Sequence, residues 1–61
     1  MPIIQVNLME GRTVDQKRKL VAEITGAVVK SLDVTPDLVR VILQEMSKEN
    51  YAIAGVLRVD E

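Results

Sequence analysis

The group in this 61-residue chain best suited to moving a proton near neutral pH lies at position 2. The sequence has neither His nor Cys, so the imidazole and thiolate that most often serve as bases and nucleophiles are missing. Nine Asp and Glu carboxylates remain, but a carboxylate works near pH 7 only under strong environmental tuning. Met1 ahead of a small residue such as Pro2 is normally trimmed, and trimming leaves a free secondary amine. A solvated α-amino group titrates near ~8. An apolar pocket or a neighbouring guanidinium lowers that value by disfavouring the cation. With Met1 attached, the same nitrogen is an amide and has no basicity. By itself Pro2 also fits a purely structural role, opening an edge strand.

Whatever uses that amine must be built from very little chain. Sixty-one residues imply one domain over 1–61, and a chain so short buries only ~60% of the surface its unfolded form exposes. Disulfides are excluded, and the commonest metal ligands are missing. Yet 48% of the residues are hydrophobic, which points to self-association as the route to stability. The balance of 8 basic and 9 acidic residues, net −1, with Tyr51 as the single aromatic, argues against a nucleic-acid partner. No stretch approaches a ~20-residue membrane span and no leader-like segment is visible, so a soluble, cytoplasmic protein without a membrane partner is expected.

Residues Pro2 to Leu8 alternate Ile4, Val6 and Leu8 with Ile3, Gln5 and Asn7, the period of a strand. Glu10-Gly11-Arg12 breaks the pattern with a turn. Thr13 and Gln16 have capping-box spacing, and Asp15 suits the first turn of a helix. Leu20, Val21, Ile24, Ala27, Val28 and Leu32 recur at helical spacing, predicting a helix from about Val14 to Leu32. Thr35-Pro36-Asp37 reads as a cap followed by a short helical turn. Val39 to Met46 returns to strand alternation, with Val39, Val41 and Leu43 on one face and Arg40, Ile42 and Gln44 on the other. Tyr51 to Val59, interrupted by Gly55, predicts a short hairpin or a pairing arm. Strand, helix, strand is a β-α-β unit with a parallel pair. Two strands and one helix leave faces and edges that copies of the chain must cover.

Several runs occur here in a specific order. Met1-Pro2-Ile3 opens the chain, and Leu8-Met9-Glu10-Gly11-Arg12-Thr13 leads to Asp15-Gln16-Lys17. Val39-Arg40-Val41-Ile42 leads to Glu45-Met46, and Asn50-Tyr51 precedes Ala52-Ile53-Ala54-Gly55. Over essentially its whole length the chain thereby resembles the 4-oxalocrotonate tautomerase family, the short-chain group of the tautomerase superfamily. The resemblance implies a tautomerase-like α/β fold, a β-α-β unit with a C-terminal β-hairpin, built into a homo-oligomer, with a hexamer as the expected assembly. It implies a cofactor-independent isomerase acting on a small anionic substrate, an unsaturated 2-hydroxy or 2-oxo acid such as 2-hydroxymuconate. Pro2 would be the general base, and Arg40 would bind the carboxylate and carbonyl oxygen beside the reacting carbon. Arg12 would hold a far carboxylate, Leu8 would lend its backbone amide to substrate, and Tyr51 would wall the proline. The family builds each site from more than one subunit.

The sequence also departs from that pattern. Ala52 and Ala54 stand where familiar members carry glycine, and Val59-Asp60-Glu61 is acidic where the best-known member ends in a basic tail. Two other readings compete: a non-catalytic oligomeric binding or scaffold protein of the same fold, and a small β-ribbon DNA-binding dimer. Retention of Met1 would favour the first, and the lack of a basic patch argues against the second.

Overall fold

Alternating side chains place β1 at Ile3–Met9 and β2 at Arg40–Met46. The computed structural model describes every residue from Met1 to Glu61. The strands pair in parallel, from Ile3 opposite Arg40 to Met9 opposite Met46. Because paired residues share a face, Ile4, Val6, Leu8, Val41 and Leu43 line one side, all half-buried. Ile3, Gln5, Asn7, Arg40, Ile42 and Gln44 line the other, all exposed. Both observed strands start one residue later than the predicted spans, and β1 runs one residue further, to Met9. Pro2 has no N–H to give a ladder and contributes only its carbonyl. Val39 closes the preceding turn instead, its N–H donating to the Pro36 carbonyl at 3.1 Å.

Between the strands runs the helix α1, Val14–Leu32. Its start is the expected capping box: the Thr13 hydroxyl accepts from the Gln16 N–H at 3.1 Å, and the Gln16 side-chain oxygen accepts from the Thr13 N–H at 3.0 Å. Gly11 makes the turn into it at φ +115°, a conformation that an L side chain resists. Leu20, Val21, Ile24, Val28 and Val29 are the half-buried apolar residues of α1. Lys17 Nζ, 2.7 Å from Glu45 Oε1, ties α1 to β2. Ala27 and Leu32, expected on that same face, are exposed. For Leu32 the reason is length. Nineteen helical residues rise about 28 Å, whereas seven strand residues extend only about 23 Å. Both helix ends therefore overhang the sheet, leaving Val14 60% and Leu32 58% exposed.

The helix stops at Asp33, in left-handed conformation. A 3-10 turn, Pro36–Leu38, follows the extended Thr35 and leads into β2. Beyond β2 come a 3-10 turn at Lys48–Asn50 and a minimal hairpin of β3, Ala52–Ile53, and β4, Val56–Leu57. A last turn spans Arg58–Asp60. The hairpin loop is Ala54-Gly55, with φ 53° and 82°, the double positive φ that a type I′ turn requires. Every residue from Lys48 onward is exposed, as befits an arm rather than a packed hairpin.

No residue of the chain is buried. The radius of gyration is 14.6 Å, against about 10.5 Å for a compact domain of this length. The accessible surface is 4834 Å², against about 4,000 Å² for a globular protein of this mass. Ile3 at 57% and Ile42 at 46% exposure place apolar surface on the sheet face that α1 leaves open. No helix is long and apolar enough to cross a membrane.

Candidate active site

The parallel register sets where each candidate residue stands. At the N-terminal ends of the strands, the Arg40 N–H donates to the Pro2 carbonyl at 3.0 Å. Pro2 is half-buried and Arg40 exposed. The Arg40 guanidinium reaches back to the turn before it, Nη1 donating to the Asp37 carbonyl at 2.6 Å. Asp37 in turn has its carboxyl held below the usual carboxylate range. The largest cause is a hydrogen bond from the Thr35 side chain, followed by one from its own backbone N–H and by the positive charge of Arg40.

At the opposite ends of the strands lies a second group. Leu8 and Arg12 line a cleft of about 200 Å³ together with Gln16, Lys17 and Leu20. Its charged rim follows from local structure. The turn at Gly11 delivers Arg12, and the capping box fixes the first turn of α1, which supplies Gln16 and Lys17. Lys17 spends one donor on Glu45, so Arg12 is the cation of that cleft without an ion-pair partner. A wider depression of about 690 Å³ is bounded by residues from the end of β1, the turn after β2 and the C-terminal turn, among them Met9, Gly11, Ser47 and Arg58. Tyr51 stands at the base of the hairpin arm, its carbonyl accepting from the Arg58 N–H at 2.8 Å, with 41% of the residue exposed.

One chain thus brings Pro2 to Arg40 and Leu8 to Arg12, but it does not bring these two pairs together. Six strand steps separate Ile3 from Met9, about 20 Å at the rise of a strand. A small acid cannot bridge that distance. A site containing all five residues has to take them from more than one copy of the chain.

The whole β-α-β arrangement with its terminal hairpin has close counterparts. Residues 2–60 match the family model described as tautomerase enzyme.

The chain belongs to the tautomerase family.

A probable tautomerase of Staphylococcus epidermidis is 43% identical over 61 residues, the full length of both chains. Another, from Listeria monocytogenes, is 43% identical over 60 residues, 98% of each. Among solved structures, a 4-oxalocrotonate tautomerase isozyme of Methylibium petroleiphilum is 54% identical, with a TM-score of 0.93 over 97% of this chain and 92% of its own. A heterohexamer 4-oxalocrotonate tautomerase from Chloroflexus aurantiacus is 27% identical, with a TM-score of 0.91 over 98% and 97%. Tautomerase family membership supports an isomerase activity of tautomerase type.

Two features of this tautomerase chain were not singled out from sequence. Gln16 and Lys17 line the cleft beside Arg12, although Thr13-to-Gln16 spacing could have signalled that the first helical turn faces it. The contact of Asp37 with Arg40 spans three residues, and the Thr-Pro-Asp turn was its only sequence signal.

Proposed function

We propose that this tautomerase is a cofactor-independent enzyme in which Pro2, freed of Met1, is the general base for enol–keto isomerisation of an unsaturated 2-hydroxy or 2-oxo acid. The observation that carries the reading is the strand register that joins Pro2 to Arg40 through one hydrogen bond of 3.0 Å. The amine takes the hydroxyl proton of a dienol such as 2-hydroxymuconate, and the electron pair delocalises into a dienolate. Arg40 meets the charge that develops on the carbonyl oxygen and the adjoining carboxylate. The proton, held on the Pro2 ammonium, then passes to carbon and restores the free base. No redox step or co-reactant is needed for the atoms to balance.

Arg12, in its cleft with Leu8, holds the far carboxylate of a dicarboxylate substrate. The Leu8 amide adds a hydrogen bond and Tyr51 excludes water beside the proline. Since Leu8 and Arg12 lie about 20 Å from Pro2 along the strands, the working unit is a homo-oligomer in which one copy supplies Pro2 and another supplies Arg12. A hexamer is the assembly we favour, as in the Chloroflexus relative, which is a heterohexamer. The exposed Ile3 and Ile42 supply apolar surface for such packing.

Intact mass and a nitrogen block test the reading together. The purified protein is expected to lack the mass of Met1 and to convert 2-hydroxymuconate. Alkylation of the Pro2 nitrogen, or a chain that keeps Met1, is expected to abolish turnover with the arginines intact. Undiminished turnover by a verified blocked protein would mean that the proton travels through another group, with Glu10, Glu45 and Tyr51 next to be tested. A native protein that keeps Met1 would instead favour the non-catalytic binding protein of the same fold.

A further inference from the structure

The geometry points to the turn Thr35–Leu38 as a positioning device for Arg40: its last free carbonyl, at Asp37, holds Nη1 and so aims the rest of the guanidinium at substrate. This inference rests on the reading of Arg40 given above. It starts from where the turn's hydrogen bonds go. The Leu38 N–H donates to the Thr35 carbonyl and the Val39 N–H to the Pro36 carbonyl, each at 3.1 Å. Continuing that ladder, the next donor would be the Arg40 N–H to the Asp37 carbonyl. That N–H is diverted to Pro2 by the strand register, at 3.0 Å. The Asp37 carbonyl is left without its backbone partner, and the side chain of the same residue takes its place, Nη1 donating at 2.6 Å.

Arg40 is therefore tied at both ends, the backbone to Pro2 and the guanidinium to the turn. Anchoring Nη1 leaves the edge formed by Nε and Nη2, two parallel donors of the planar fork, free for a carboxylate. Two features stiffen the anchor. Pro36 opens the turn with a φ preset by its ring. The Asp37 carboxylate, hydrogen-bonded by Thr35, adds negative charge near Arg40. A cation aimed before substrate arrives loses less freedom on binding, and misaiming a catalytic group by a fraction of an ångström is enough to slow a reaction.

The test is a double-mutant cycle in the processed oligomer with 2-hydroxymuconate as substrate. Pro36→Gly is expected to lower kcat about tenfold while KM changes by less than about twofold, with circular dichroism and sedimentation unchanged. In an Arg40→Ala background, Pro36→Gly is expected to cost nothing further, because the group it aims is gone. Full kcat in Pro36→Gly, or an equal loss in both backgrounds, would overturn the positioning role while leaving Arg40 in the mechanism. Unchanged turnover in Arg40→Ala alone would remove the reading of Arg40, and the positioning role with it. Should Pro36→Gly not fold, Pro36→Ala, at home in a helical turn, carries the same comparisons with the same outcomes.

Discussion

Arg40 gives its backbone N–H to Pro2 and its guanidinium to Asp37, at 3.0 and 2.6 Å. One residue therefore links the start of β1 to the turn that precedes β2. Pro2 and the strand arginine, separated by most of the chain, become neighbours through a single ladder contact. Arg12 stands at the other end of the same strands, in the cleft with Leu8, and the roles we propose for the two arginines differ accordingly.

Arg40→Ala is expected to lower kcat about a hundredfold, the scale of losing one donor to a developing oxyanion, with a smaller change in KM. Arg12→Ala is expected to raise KM for a dicarboxylate about tenfold, as for one lost charge-assisted hydrogen bond, with kcat nearly unchanged. A monocarboxylate should be indifferent to Arg12. Steady-state kinetics on both substrates checks this, and small equal effects from both changes would remove the arginines from the mechanism.

Sedimentation at micromolar concentration is expected to show no appreciable folded monomer, since the isolated chain buries no residue. Ile42→Asp, on the open sheet face, is expected to weaken assembly and folding together. Ile42 is 46% exposed, so covering the rest of its side chain is worth about 0.7–1.4 kcal/mol per chain. A compact, stable monomer of the parent sequence would contradict both the core-size argument and a site shared between copies.

Ala54→Gly is expected to raise the urea midpoint at equal protein concentration, reflecting a stability gain of about 0.5–1 kcal/mol per chain. Ala54 sits at φ 53°, where an L side chain costs roughly 1–2 kcal/mol, partly offset by the extra freedom glycine loses on folding. Ala54→Val, β-branched in the same turn, is expected to shift the midpoint the other way. No change with glycine would mean that contacts of the arm with another copy outweigh the turn's own preference.

Asp37 is expected to titrate below its ordinary 3.8 when followed by carboxyl NMR. Because the folded value is the lower one, its contribution to stability is fully present above the ordinary value and is lost as pH falls through the folded value. Thr35→Val should raise the midpoint more than Arg40→Ala does, since the Thr35 hydrogen bond is the largest cause of the shift. A midpoint indifferent to Thr35→Val would place the cause elsewhere.

Much of this was legible from residue order alone. Two-residue alternation, the Thr13–Gln16 box and the apolar spacing of Leu20, Val21, Ile24 and Val28 specify β1 and α1 locally, because each signal acts within a turn or two of backbone. Even so, Leu32 shares the helical spacing and is exposed, since spacing records direction around an axis and not whether a sheet is long enough to lie beneath. The Ala54 turn shows the same limit, for a double positive φ is expected of glycine or asparagine and not of alanine.

The residue types, by their chemistry and order, were enough to suggest the catalysis we propose, with Pro2 for the proton and two arginines for the charge, and to specify the β-α-β frame. Only the tertiary structure decided that Pro2 meets Arg40 while Arg12 and Leu8 lie a strand's length away, and that Arg40 is tethered to Asp37. The physical reason is register. Which amide meets which carbonyl across a parallel pair depends on two strands at once. A hydrogen bond diverted from a turn to a neighbouring strand leaves no trace in the order of residues.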